Sequence, residues 1–191
     1  MKFNYVEGKK GEKAEKEEKI EKNEKIEKTE KGTKKATVAE KQAKEEKVYI
    51  IPLGGLEEVG KNMTAFQYKD EIVIVDAGLT FPEDEHLGID VIIPDFTYLE
   101  NNKDKIKSLL LTHGHEDHIG AIPYLFQKLG STDISIYGGK LTLELAKAKF
   151  EKKDAVIPKM KVVKGRTKLK LSKYFSVEFI SVTHSIADCY A

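Results

Sequence analysis

The sequence predicts an α/β protein with mixed sheets, preceded by a disordered tail. After residue 47, short apolar runs rich in β-branched residues come first, and helical periodicity appears later between further strands. Residues 1–47 instead carry 15 lysines and 12 glutamates, a composition that does not build a core. We therefore expect a tail over residues 1–47 and one folded unit over residues 48–191.

The tail is a low-complexity repeat. From Lys10 to Lys34 a lysine occupies every third position, and seven glutamates each precede a lysine by four residues. That spacing favours helical side-chain pairs, but within this repeat only Ile20 and Ile26 could pack against a partner. We predict disorder with transient helix. Its basic excess could help hold RNA or another polyanion; a solubilising extension without a specific partner is the favoured alternative.

The first half of the folded unit reads as strands. "VYIIPLGG" is a β-branched run that ends in a glycine pair, which indicates a strand entering a turn. "MTAFQYKD" and "EIVIVDAG" predict two strands joined at Lys69 and Asp70. The second of these is almost continuously apolar, as expected for a strand covered on both faces. A long connection with prolines at 82 and 94 follows, and we expect a helical turn near residues 96–101.

The second half alternates strands and helices. "KSLLLT" predicts a buried strand, and the apolar residues after it recur at helical spacing up to Gly130, which we expect to end that helix. "ISIYGG" predicts a strand and "KLTLELAKAKFEKK" an amphipathic helix. "KMKVVK", "TKLKLS" and "YFSVEFISVTHS" predict three more strands. The apolar residues at helical spacing between "KSLLLT" and Gly130 are Ile119, Ile122, Leu125, Phe126 and Leu129.

Composition favours a cytoplasmic protein. The one cysteine, Cys189, allows no intramolecular disulfide. No apolar run approaches the roughly 20 residues of a membrane span, and the first residues lack the apolar region of a signal peptide. We therefore predict no contact with a membrane.

Three of the five histidines lie within six residues, in "THGHEDHIGA". His113 and His115 are two residues apart at a predicted strand end and can bind one ion, while Asp117 and His118 can reach a second. Imidazole and carboxylate suit Zn²⁺, with Mn²⁺ or Fe²⁺ as substitutes. The alternative is a polar loop whose histidines face water. A cluster this dense, directly after a buried strand and opening a helix, favours metal.

Two further residues extend this hypothesis. His184 follows another predicted strand, so it can approach the first cluster as a ligand. Asp76 ends a buried strand and would orient a ligand histidine through its second nitrogen; a local turn before Gly78 is nearly as good an interpretation. His86 lies in the acidic stretch "PEDEHLG", and we expect it only at the surface.

"THGHEDHIGA" matches the H-x-H-x-D-H motif of the metallo-β-lactamase superfamily. "LGGLEEVGKNM", "VDAGLTFPEDEHLGIDVIIPDFTYL", "LTHGHEDHIGAIPYL", "IYGGKLTLELAKAKF" and "THSIADCY" resemble the ribonuclease J family of the β-CASP group. The likeness covers nearly all of residues 48–190. It implies the first, incomplete half of an αββα sandwich, ending before the β-CASP domain.

The resemblance also implies roles for single residues. One zinc ion would be bound by three histidines and the other by an acid and a histidine, with Asp117 also catalytic. Asp76 would orient a ligand, and a loop would contribute to a structural Ca²⁺ site. The implied ligands are His113, His115 and His184 for one zinc, Asp117 and His118 for the other, and Gly88 and Asp90 for Ca²⁺.

The implied activity is hydrolysis of RNA phosphodiesters by hydroxide that two zinc ions activate. The family acts as a 5′-to-3′ exonuclease preferring a 5′-monophosphate and as an endonuclease, in RNA decay and maturation, and forms homo-oligomers. This chain departs from the family at Glu57, Ala187 and Cys189, where glycine, proline and serine are usual.

The family's bridging aspartate is expected beyond Ala191, so we expect these residues alone to bind metal weakly and degrade RNA poorly. The alternatives are a thioesterase-type hydrolase of the same superfamily and a truncated, non-enzymatic RNA-binding remnant.

Overall fold

The computed structural model describes residues 46–83, 86–130, 133–153 and 155–191. The predicted disorder over residues 1–47 falls almost entirely on residues 1–45, outside the described part. The elements are β1 (Val48–Gly54), β2 (Met63–Tyr68), β3 (Glu71–Val75), α1 (Thr97–Glu100), a 3-10 turn (Lys103–Lys105), β4 (Ile106–Leu110), α2 (Glu116–Ile119), α3 (Ile122–Leu129), β5 (Ser135–Gly138), α4 (Lys140–Glu151), β6 (Met160–Val162), β7 (Lys168–Lys170) and β8 (Ser176–Glu178).

Strands β1 to β6 form one sheet in chain order. β1, β2 and β3 are antiparallel neighbours, whereas β3 to β6 run parallel. The turn between β2 and β3 contains Lys69 with φ 55°, at the position predicted for it. Because β3 and β4 are parallel, the segments that follow them start at the same edge of the sheet. The predicted mixed sheet is confirmed.

Helices cover one face of this sheet and the β7–β8 hairpin covers the other. The helical side buries Ile72 and Ile74 of β3, and the opposite side buries Val73. β3 is therefore covered on both faces, as its apolar run predicts. The hairpin side is completed by Leu110, Val163, Phe179 and Tyr190.

The helix predicted after β4 is interrupted. It ends at Gly130 as expected, with the left-handed φ of 61°, but it consists of α2 and α3 separated at Gly120 and Ala121. Pro123 explains the interruption, since a proline ring clashes with the carbonyl group four residues earlier, here that of Ile119. The N–H group of Ala121 donates instead to the carbonyl oxygen of Ala77 at 2.8 Å.

The last strand is shorter than predicted. β8 ends at Glu178, and an isolated bridge between Ser181 and Tyr190 follows. The cause is a change of partner, because the N–H group of Ile180 donates to the carbonyl oxygen of Ala191 at 2.9 Å. His184 therefore lies in an irregular segment and does not directly follow a strand, which corrects the sequence-based prediction.

Replacing Glu57 by glycine should raise the free energy of unfolding by about 1 kcal/mol. Glu57 is exposed and has φ 56°, a conformation that costs a non-glycine residue roughly 1–2 kcal/mol, partly offset by the extra freedom of an unfolded glycine. Urea unfolding of Glu57→Gly measures the change. Glu58→Gly is the control and should destabilise, since Glu58 accepts from the Gly55 N–H group and pairs with Lys61. A lower midpoint for Glu57→Gly would contradict the expectation.

Candidate metal centre

Three histidines meet at the edge where β3 and β4 end. His113 Nε2 lies 3.0 Å from His115 Nδ1, and His184 Nε2 lies 3.2 Å from the same His115 nitrogen. One nitrogen from each ring falls within 4.8 Å of the others. His113 is buried, His115 is half-buried and His184 is exposed. The structure thus brings together the three histidines that were predicted to share one ion.

The predicted second pair lies beside this trio. Asp117 Oδ2 and His118 Nε2 are 3.4 Å apart at the start of α2. The rings of His118 and His113 have centroids 4.1 Å apart, so the two groups adjoin. An N/N/N group next to an N/O group is a donor set that suits zinc or a similar divalent cation.

The carboxylate of Asp76 contacts the ring of His118. Its buried carboxylate accepts from the N–H and hydroxyl groups of Thr112 at 2.8 and 2.7 Å, and its Oδ2 lies 2.7 Å from His118 Nδ1. With Nδ1–H donated to Asp76, His118 presents the lone pair of Nε2 on the side of Asp117. The carboxylate thus contacts Thr112 and His118, and its role in orienting a metal ligand stays a prediction.

Two histidines of the site differ in charge preference. Burial, with the neighbouring His118, lowers the pKa of His113 to about 4, so this ring is neutral at pH 7, as a metal ligand must be. Burial also acts against charge on His118, but the hydrogen bond to Asp76 and the charges of Asp76 and Asp117 outweigh it and raise the pKa of His118. The pKa values of these two neighbouring rings are therefore shifted in opposite directions.

Asn62 was not anticipated from the sequence. Its Nδ2 donates to Asp117 Oδ2 at 3.0 Å and lies 3.2 Å from His118 Nε2. Its backbone N–H group donates to the Asp117 carbonyl oxygen, and its own carbonyl oxygen accepts from Gly78. The only local signal in the sequence was a polar residue directly after "VGK". In the structure this segment forms a turn in which Gly60 and Lys61 have positive φ. Asn62 thus holds Asp117 by both side chain and backbone.

Gly78 permits close packing of this region. A Cβ atom at Gly78 would overlap the carbonyl oxygen of Asp117. The neighbouring N–H groups of Ala77 and Leu79 donate to carbonyl oxygens of His118 and Glu116 at 2.8 and 3.1 Å. The absence of a side chain here lets the segment after β3 contact the backbone of α2 directly, which fixes Asp117 and His118.

Asp188 was also missed. Its Oδ2 accepts from the N–H group of Leu141 at 2.9 Å, in the first turn of α4, and its φ is 59°. A helix N-terminus has unpaired N–H groups that a carboxylate satisfies well. Because Asp188 lies four residues after His184, this bond ties the segment that carries His184 to α4.

The remaining predicted residues lie in the loop after β3. His86 is exposed, and its Nδ1 accepts from the N–H group of Glu83 at 3.3 Å. Gly88, with φ 78°, and Asp90 are exposed, while residues 84 and 85 lie outside the described part. A Ca²⁺ site at Gly88 and Asp90 stays a prediction.

Comparison with known proteins places the fold. A model of the "Metallo-beta-lactamase superfamily" matches residues 56–171. Among solved structures, a protein of unknown function from Enterococcus faecalis V583 superposes with a TM-score of 0.56 and 18% identity, covering 74% of this chain and 39% of that one. This likeness concerns the fold alone. In the described part of the chain, no helix is long and apolar enough to cross a membrane.

Curated relatives are similar over most of the chain. Ribonuclease J of Synechocystis sp. is 46% identical over 152 residues, which cover 78% of this chain and 23% of that protein. Ribonuclease J 1 of Streptococcus pyogenes is 44% identical, with 76% and 25% covered. Ribonuclease J of Thermus thermophilus is 41% identical, with 75% and 26% covered. The chain spans about a quarter of the length of these relatives.

Proposed function

The chain belongs to the metallo-beta-lactamase superfamily, and from that premise we propose that it supplies the cation-binding centre of an enzyme that hydrolyses RNA phosphodiester bonds. The adjoining histidine trio and Asp117–His118 pair carry the proposal. The choice of RNA rests on 41–46% identity to proteins named ribonuclease J. A donor set of imidazoles and one carboxylate fits two cations, and Zn²⁺, with Mn²⁺ as substitute, is the proposed pair.

In this proposal, His113, His115 and His184 hold one cation, and Asp117 and His118 hold the other. Two cations bound there supply positive charge for the phosphate and lower the pKa of water. The placement of the ligand side chains depends on neighbouring residues of the protein.

Neighbouring side chains keep the ligands in a productive arrangement. Asp76 keeps a proton on Nδ1 of His118, so that Nε2 stays available. Thr112 holds the Asp76 carboxylate through two hydrogen bonds. Asn62 restricts rotation of the Asp117 carboxylate. Such preorganisation matters because small misplacements of ligands lower metal affinity and rate.

We extend the proposal to the finer properties that the family resemblance implies. These are 5′-to-3′ exonuclease and endonuclease action, preference for a 5′-monophosphate, homo-oligomer formation, a role in RNA decay and maturation in the cytoplasm, and Ca²⁺ binding near Gly88 and Asp90. They concern the whole protein, of whose relatives this chain spans about a quarter.

A chimera tests the function. Residues 48–191 would replace the matching segment of Thermus thermophilus ribonuclease J, which is 41% identical to this chain. We expect the chimera to cleave 5′-labelled RNA in the presence of Zn²⁺ or Mn²⁺, and the same chimera with His115→Ala to be inactive. The thioesterase alternative is tested in parallel with a glutathione thioester. A folded, cation-loaded chimera that hydrolyses the thioester but leaves RNA intact would refute the proposal.

A further inference from the structure

One segment of the folded unit is strongly basic. Residues 159–173 contain seven lysines and arginines in 15 positions and no acidic residue. The whole of residues 48–191 is slightly acidic, so an average over this range conceals the segment. All of these 15 residues lie in the described part of the chain. Four of the seven, Lys164, Arg166, Lys168 and Lys170, lie on the turn after β6 and on β7.

The pairing of β7 with β8 turns its lysines outward. Leu169 pairs with Val177, and both pack against the core on the hairpin side of the sheet. Lys168 and Lys170 alternate with Leu169 and are exposed, about 6.6 Å apart along the strand. Lys168 forms a 3.1 Å ion pair with Glu178, whereas Lys170 lies opposite Ser176. The outer face of the hairpin thus presents a short row of lysine side chains.

The turn before β7 has a defined conformation and carries two more positively charged side chains. The N–H group of Lys164 donates to the Thr167 hydroxyl at 3.1 Å, and that of Thr167 donates to the Lys164 carbonyl oxygen at 3.0 Å. Arg166 has φ 65°, and its N–H group donates to the Phe179 carbonyl oxygen. Lys164 and Arg166 are exposed. No carboxylate of a described residue lies within ion-pair distance of either residue or of Lys170.

This turn lies next to the segment that carries His184. A Cβ atom at Gly165 would collide with the hydroxyl oxygen of Ser181, so Gly165 packs directly against the Ser181 side chain. Ser181 precedes His184 by three residues, a chain distance of at most about 10 Å. The turn that carries Lys164 and Arg166 therefore contacts the same short segment that carries His184.

We propose that Lys164, Arg166, Lys168 and Lys170 form a surface that binds the phosphate backbone of single-stranded RNA and leads the strand towards the histidine trio. The inference rests on the proposed function, because it takes its polyanion from the substrate of that centre. Phosphate contacts through lysine and arginine position a strand without reading its sequence. A row of cations that starts beside a phosphodiester-cleaving centre is complementary in charge to a strand bound there.

Binding of RNA without cleavage tests the surface. The 191-residue chain is titrated with a short fluorescein-labelled oligouridylate in EDTA, and fluorescence anisotropy gives Kd over a series of salt concentrations. The triple variant Lys164→Gln, Arg166→Gln, Lys170→Gln is compared with Lys103→Gln, Lys128→Gln, Lys152→Gln. The control removes the same charge from exposed positions on the helical side and keeps the Lys/Glu-rich tail. Circular dichroism verifies that both variants are folded.

The first triple variant should raise Kd at least about 10-fold at 0.1 M salt and reduce the slope of log K against log salt by about 2, as expected for three lost phosphate contacts. The control should match the unsubstituted chain. Equal losses in both variants, or no loss in either, would overturn the proposal, as would tighter binding of a poly-aspartate peptide than of RNA. The chimera used in the cleavage assay keeps Lys164, Arg166 and Lys170. A failed binding prediction therefore leaves the proposed function standing, whereas a chimera that fails the cleavage assay contradicts the proposed function itself.

Discussion

Replacing His115 by alanine should lower the affinity of the chain for Zn²⁺ at least about 100-fold, because loss of even a residue that only supports a ligand costs roughly 10- to 100-fold. His115 Nδ1 is the nitrogen that the other two rings share, at 3.0 Å from His113 and 3.2 Å from His184. Without it, two imidazoles remain at distant chain positions, and few structural or catalytic zinc sites have fewer than three protein ligands. Competition with a chromophoric chelator measures the affinity.

The fold should survive this change, because the His115 side chain is only half-buried and is not in the hydrophobic core. His86→Ala is the matched control, since it removes an exposed histidine from a loop outside the cluster, and it should leave Zn²⁺ affinity unchanged. An unchanged affinity in His115→Ala, with normal circular dichroism, would show that the trio does not bind the ion.

Replacing Asp76 by asparagine should lower the free energy of unfolding by about 3 kcal/mol. Asparagine keeps the volume and tolerates the φ of 59°. It supplies one acceptor oxygen where the carboxylate serves the Thr112 N–H, the Thr112 hydroxyl and His118 Nδ1. A buried donor left without its partner costs about 1–3 kcal/mol, and charge-assisted bonds are the stronger kind. Urea unfolding in EDTA measures the loss independently of metal.

Asp70→Asn is the control, because Asp70 is exposed in the β2–β3 turn, and its unfolding midpoint should stay within error of the unsubstituted chain. The same Asp76→Asn protein should also take up less of the second cation, since its His118 is no longer held in one tautomer. Equal midpoints for Asp76→Asn and the unsubstituted chain would refute the assigned role.

Local patterns were sufficient to predict strands β1 to β5 and the place where the histidine-rich segment leaves the sheet. The continuous apolar run of β3 predicted burial on both faces, and the structure confirms it through Ile72, Val73 and Ile74. The histidine-rich segment followed a buried strand, and a strand end fixes where the next residues emerge. His113 and His118 were therefore placed correctly at one edge of the sheet without any knowledge of the neighbouring strands.

Contacts between distant parts of the chain could not be predicted in this way. Asn62 and Asp188 act on Asp117 and on α4 across long stretches of sequence, and no local period records such pairings. Helical periodicity also continued through Pro123, although the ring prevents a continuous helix. His184 was expected directly after a strand, but pairing of Ile180 with Ala191 ends the regular structure earlier.

The division of the histidine trio between two distant segments also has a consequence for turnover of the protein. His115 and His184 are 69 positions apart, so a cation bound by both would fasten them as a reversible cross-link does. If only the docked arrangement binds it, a cation at 100 times its Kd favours docking by about 2.7 kcal/mol. Cation starvation would then loosen the segment around His184 first and expose its backbone to proteases. Limited proteolysis with and without added Zn²⁺ would then show the difference first in the segment around His184.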